Sequence, residues 1–170
     1  MQMSNIYLVG LMGSGKTSIG KILAKRMSMN FMDLDDEIIK DEKCSISEIF
    51  DTFGEEKFRH LEKKKLLSTL EIHNCVISTG GGIIMDQDNI KIMVENGSII
   101  HLDIDIETQL LRIKNKKNRP LLREVDNERK MLAKMRKERD HIYKKIAIAS
   151  VNTSNKKRND IVSEVVSIIV

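Results

Sequence analysis

Apolar positions along the chain follow two alternating patterns. Strand-like runs recur near residues 6–9, 30–33, 75–79, 98–103 and 147–151, and the first, Ile6 to Val9, is continuously apolar and partly β-branched, as expected of a strand buried on both faces. Between them apolar residues recur every three or four positions, as in Ile19, Ile22, Leu23 and Met27, or in Phe58, Leu61, Leu66 and Leu70. That spacing predicts amphipathic helices. Strand and helix in regular alternation predict an α/β fold, with helices packed on both sides of a parallel sheet. Local punctuation sharpens the boundaries. Ser45 and Glu48 form an S-x-x-E capping box, and Gly54 is placed to end the short helix that follows. Asp105 is placed to cap a helix through Leu110 and Ile113 that gives way near Asn115, and Asp160 to cap the last helix. Met131, Leu132, Met135, Ile142, Tyr143 and Ile146 mark one face of the helix between them. No repeat or low-complexity linker interrupts this order, so the 170 residues read as one domain.

Composition changes the picture little. No apolar run approaches the ~20 residues of a membrane span, and no charged-then-apolar leader precedes the first strand, so no membrane role and a cytoplasmic location are expected. Cys44 and Cys75 lack CxxC spacing and read as reduced thiols. The net charge is +4, but residues 112–145 hold fourteen Lys/Arg against five Asp/Glu. That segment contains no Phe or Trp and only Tyr143. Base stacking is therefore poorly supplied, and a nucleic-acid partner is not expected. An arginine-bearing cover over an anionic small-molecule site explains the charge better. A monomer is expected, since no large apolar helix face is left over.

Candidate chemistry starts at residues 10–17. Gly10, Leu11, Met12, Gly13, Ser14, Gly15, Lys16 and Thr17 satisfy G-x-x-x-x-G-K-[ST], between a strand and a helix. Backbone N–H groups and the helix dipole then converge on one phosphate. Gly13, Ser14, Gly15, Lys16, Thr17 and Ser18 are the candidate ATP-binding residues, with Lys16 on the β- and γ-phosphates and the Thr17 hydroxyl on Mg²⁺. Ligands of a parallel α/β sheet gather at the carboxyl ends of its strands. Asp33 and Asp35 follow the second strand: one can hold Mg²⁺ through water while the other orients or deprotonates an acceptor hydroxyl. Capping of the helix through Ile38 and Ile39 is the alternative. With no ordinary Walker B acid present, Asp33 is the better metal candidate. Gly80, Gly81 and Gly82 follow the third strand, where a backbone lying flat against a ligand would need them. Arg59 and Glu62, three apart on a helix, read by themselves as a surface ion pair. Arg119 and Arg139 offer planar forks for carboxylate or phosphate. The four histidines show no ligand or triad spacing.

In order, GLMGSGKT, DLD at 33–35, FRHLE at 58–62, TGGG at 79–82, RPLL at 119–122 and the R-x-x-x-Y of Arg139 and Tyr143 resemble the shikimate kinase family. The resemblance spans residues 6 to about 151. It implies a P-loop NTPase-type fold, a single three-layer α/β/α domain on a five-stranded parallel sheet. It also implies a substrate-binding subdomain at about 34–62 and a mobile lid at about 115–125. The implied reaction moves the ATP γ-phosphate to the 3-hydroxyl of shikimate, the fifth step toward chorismate. Asp35 would hold the hydroxyls and act as base, and Asp33 would reach Mg²⁺. Arg59, Arg139, Gly81 and Gly82 would grip the substrate. Arg119 would close on the phosphates, and Arg112 stands where the family places an adenine-stacking arginine. Two stretches depart from the family: Cys44 replaces a glycine, and Ser154 to Arg158 lack the proline common in the adenine loop. A gluconate-type or nucleotide kinase shares the first motif and remains the alternative. A GTP switch would want N-K-x-D, and the nearest string, Asn115 to Asn118, lacks the aspartate.

Overall fold

The computed structural model describes residues 4–114 and 128–170. Strands β1 (Asn5–Val9), β2 (Asn30–Asp33), β3 (Cys75–Ser78), β4 (Gly97–Asp103) and β5 (Ala149–Asn152) pair in parallel, in the order β2-β3-β1-β4-β5. The connecting helices are α1 (Lys16–Met27), α2 (Leu34–Glu42), α3 (Ile46–Leu67), α4 (Gln87–Asn96), α5 (Ile106–Lys114), α6 (Glu128–Ile146) and α7 (Arg158–Ile169). None of the described helices is long and apolar enough to cross a membrane.

The continuous apolar run of β1 has a simple cause, because both faces of the sheet are covered there. Ile6 and Leu8 of β1 pack with Ile19 and Leu23 of α1 and Val162 and Val165 of α7. Tyr7 and Val9, pointing the other way, pack with Leu66, Met93, Met135 and Tyr143 from α3, α4 and α6. A further cluster of Ile38, Ile49, Phe58 and Leu61 joins α2 to α3.

Most of the punctuation holds. Ser45 caps α3 and Glu48 reciprocates, accepting from the Ser45 N–H at 2.7 Å. At Gly54 the backbone (φ 79°, ψ 172°) leaves helical geometry and two helical pieces of α3 meet. Asp105 caps α5 by accepting from Thr108 N–H at 2.7 Å. Two expectations fail. Leu70 is exposed because α3 ends at Leu67 and a 3₁₀ turn over Ser68–Glu71 breaks the helical register. Asp160 lies inside the first turn of α7, whose cap is Lys157; an acid there still meets the positive end of the dipole. Cys44 needs no glycine backbone, because the left-handed residue of its turn is Lys43 (φ 56°) and the Cys44 side chain packs on the α2–α3 cluster.

The topology places a crevice. The connection from β1 leads through α1 toward β2, whereas that from β3 leads through α4 across β1 to β4. The carboxyl ends of β1 and β3 therefore flank a switch point, where such sheets bind ligands. Residues 10–17 leave β1 there and residues 79–82 leave β3. Thr79 ties them together, its N–H and Oγ1 both donating to the Leu8 carbonyl at 3.2 and 2.9 Å.

Candidate functional site

A cleft of about 1190 Å³ opens over this switch point. Its floor is the loop after β1, whose last residue, Gly15, takes a left-handed conformation (φ 95°) and begins α1 with no side-chain cap. The leading N–H groups of α1 thus meet the cleft without a competing side-chain acceptor. Lys16 Nζ lies back over the loop, donating to the carbonyls of Gly10 and Leu11 at 2.8 and 3.2 Å. Those bonds must be exchanged for it to reach an anion. Ser18 Oγ donates to Gly15 O at 3.1 Å. Ser14 is the exception among the predicted phosphate binders: it is buried, its N–H is bonded to Leu11 O, and it does not line the cleft.

Thr17 Oγ1 donates to Asp33 Oδ2 at 2.6 Å, while Asp33 Oδ1 accepts from the N–H groups of Asp35 and Asp36 at 3.1 and 3.4 Å. The capping and metal readings of Asp33 are therefore compatible, one oxygen serving each. A hydroxyl beside a carboxylate supplies the hard oxygen donors that Mg²⁺ prefers. Arg112 of α5 donates to Gly13 O at 3.0 Å and to Thr153 O at 2.8 Å, tying the loop to the end of β5. Lys156, Lys157 and Arg158 line that end of the cleft, after a left-handed Asn155 (φ 55°).

The opposite wall is built from α2, α3, α6 and the glycine loop. Asp35, Arg59, Gly81, Gly82 and Arg139 all line it. Here the reading of Arg59–Glu62 as a surface pair is overturned. Glu62 is fully buried and accepts from Arg59 Nη1 at 2.8 Å, while Arg59 also holds Glu55 at 2.9 Å. The glycines answer to this pair. A β-carbon at Gly80 would stand 2.2 Å from Glu62 Oε1, and one at Gly82 2.5 Å from Arg59 Nη2. Their smallness makes room for protein neighbours first. Arg139 Nη1 donates to Gly81 O at 3.4 Å, and its buried Nε has no partner among the described residues. Arg119 and the expected lid lie outside the described residues.

Glu62 is the residue that sequence reasoning undervalued. Burial raises its pKa from 4.5 to about 7, with nearby Asp35 adding to the rise and Arg59 opposing it. The folded chain therefore binds a proton that the unfolded chain has released between those pH values. This group favours the fold below about pH 4.5, and that contribution, about 3 kcal/mol, is lost as pH rises through 7. Urea unfolding at pH 5 and pH 8 is expected to show a larger loss of stability for the native protein than for Glu62→Gln. Equal losses would remove Glu62 as the titrating group.

Elsewhere, His101, Asp103 and Asp140 bring ligand-type atoms within 4.8 Å of one another. Arg136 and Lys144 already pair the two carboxylates at 2.8 and 2.7 Å, which leaves that cluster ill suited to a cation.

A glycine-rich loop at a helix N-terminus with oxygen donors at its edge, facing two arginines and a carboxylate across one cleft, is the arrangement expected of a P-loop kinase. The family model described as "Shikimate kinase" matches residues 12–170. The chain is 40% identical over 165 residues to a shikimate kinase of Sulfurihydrogenibium sp., covering 97% of each chain. It is 44% identical over 163 residues to one of Persephonella marina, covering 96% of this chain and 97% of that one. Among solved structures, shikimate kinase from Acinetobacter baumannii in complex with shikimate superposes with a TM-score of 0.94 at 35% identity, covering 98% of this chain and 93% of that one. The chain belongs to the shikimate kinase family.

Proposed function

We propose that the protein transfers the γ-phosphoryl group of ATP to the 3-hydroxyl of shikimate, yielding shikimate 3-phosphate and ADP. The observation that carries this reading is the facing of the two walls. Lys16, Thr17 and Asp33 stand on one side of the cleft, and Asp35, Arg59, Arg139 and the Gly81–Gly82 backbone on the other. The shikimate held by the Acinetobacter baumannii relative supports the choice of acceptor.

In this reading Arg59 and Arg139 take the substrate carboxylate, and Gly81 and Gly82 present backbone to it. Asp35 orients the hydroxyls and accepts the proton of the attacking one. Lys16 leaves its loop carbonyls to meet charge on the transferring group, and Arg112 faces the adenine. Thr17 and Asp33 would hold Mg²⁺, Asp33 through water; bound there, the ion neutralises phosphate charge. The protein's contribution is mainly positioning and preorganised charge. Residues 34–62 form the acceptor-binding subdomain of a single kinase domain.

A coupled ADP-release assay offered shikimate, gluconate and nucleoside monophosphates separately is expected to show turnover with shikimate. Turnover with another member of the panel and none with shikimate would overturn the proposal.

A further inference from the structure

Behind the glycine loop stands a side chain that the proposed chemistry does not use. Tyr143 of α6 is completely buried, and its hydroxyl donates a hydrogen bond to the Gly81 carbonyl. Its ring stacks on His101 of β4, with centroids 4.8 Å apart and planes 15° apart. His101 is in turn held by Ser150 of β5 through a 2.7 Å bond at Nδ1. Burial lowers the His101 pKa to about 4, so near neutral pH the ring that supports Tyr143 carries no charge.

Three consecutive glycines have no side chains with which to anchor themselves, and they lose more chain entropy on ordering than any other residues. The loop is gripped from outside instead. A β-carbon at Gly81 would lie 3.3 Å from Gly10 O and 3.8 Å from the Tyr143 hydroxyl, so this residue sits between the phosphate loop and α6. A peptide is planar and trans, with its C=O and N–H pointing in opposite directions. Tying the Gly81 carbonyl to α6 therefore turns the Gly82 N–H away from α6. Arg139, one helical turn before Tyr143, donates to the same carbonyl. One acceptor thus registers both the loop backbone and the arginine.

We infer that Tyr143 is a positioning residue for the acceptor side of the site, its hydroxyl setting the orientation of the Gly81–Gly82 peptide and the place of Arg139. The inference rests on the reading of that wall as the acceptor site. A phenylalanine would fill the same space and stack on the same imidazole, so packing alone does not require the hydroxyl.

Tyr143→Phe removes that hydroxyl and keeps the ring. Steady-state kinetics with shikimate and ATP varied in turn, together with calorimetric titration of shikimate, are expected to show KM and Kd for shikimate raised roughly tenfold, with KM for ATP within about twofold of the native value. Unchanged shikimate constants overturn the inference, whatever happens to thermal stability. A parallel rise in both KM values overturns it too, because that marks a general loosening. His101→Leu, which withdraws the support from the ring and leaves the hydroxyl, is expected to shift the same ratio in the same direction. It carries the test if Tyr143→Phe does not fold, and an unchanged ratio then counts against the inference. Were the native enzyme to turn over a different acceptor, the functional proposal would fail on its own. The same KM ratio read with that acceptor would still decide the role of Tyr143.

Discussion

Asp35→Asn is expected to bind ATP as the native protein does and to lose phosphoryl transfer, with kcat falling about 10²–10⁴-fold. The substitution is close to isosteric. The Asp35 N–H bonded to Asp33 Oδ1 at 3.1 Å is a backbone group and survives, so the start of α2 and the Thr17–Asp33 contact are undisturbed. What disappears is a negative charge and a proton acceptor on the wall opposite the phosphate loop. A second readout follows, since the Asp35 charge helps to raise the Glu62 pKa. In the variant Glu62 titrates at lower pH, and the pH-dependent loss of stability described above shrinks. ATP titration, single-turnover transfer and urea unfolding at two pH values test the three parts. Full transfer activity would take Asp35 out of the mechanism.

Arg59→Ala is expected to lose about 2–5 kcal/mol of shikimate binding, at least roughly thirty-fold in affinity, with ATP binding little changed. Two effects combine. A guanidinium that would meet the substrate carboxylate is gone, and Glu62 is left buried without its main counter-charge. An uncompensated buried carboxylate is strongly destabilising, so Glu62 becomes protonated at neutral pH instead. Glu55, which is exposed, costs little when its partner leaves. The double variant Arg59→Ala/Glu62→Gln separates the contributions: it is expected to recover thermal stability and to remain weak for shikimate. If removing the buried charge also restored affinity, Arg59 would be a structural residue only.

The sheet was legible because strand-like runs alternate with helical patterns, most plainly at β1 and β3, which are buried throughout; the edge strands β2 and β5 keep exposed polar positions and carry a weaker signal. The phosphate loop was legible because its glycines, lysine and threonine are adjacent in sequence. The other wall was harder, since its residues come from α2, α3, the turn after β3, and α6. No local rule joins positions so distant, and the family resemblance supplied what spacing could not. Glu62 nevertheless left a trace. It lies four residues after Phe58 and four before Leu66, both buried, so a charge stood on the core stripe of α3 where a surface pair has no place. Arg139 does the same between Met135 and Tyr143 on α6. The reason for three glycines was not legible at all, because it depends on how closely Glu62 and Arg59 approach the turn after folding.

The Thr79 link between the loops after β1 and β3 bears on how acceptor choice can change. Those strands are ladder neighbours, spaced about 4.8 Å apart as in any sheet, and Thr79 bonds directly to Leu8 where the loops diverge. The span from phosphate donor to acceptor wall is thus measured out by the sheet, a ruler that loop substitutions cannot stretch. The α2–α3 segment, in contrast, has its own apolar cluster and a break at Gly54. Redesign toward a larger or smaller acceptor should rebuild that segment and leave β1, β3 and their ladder as they are.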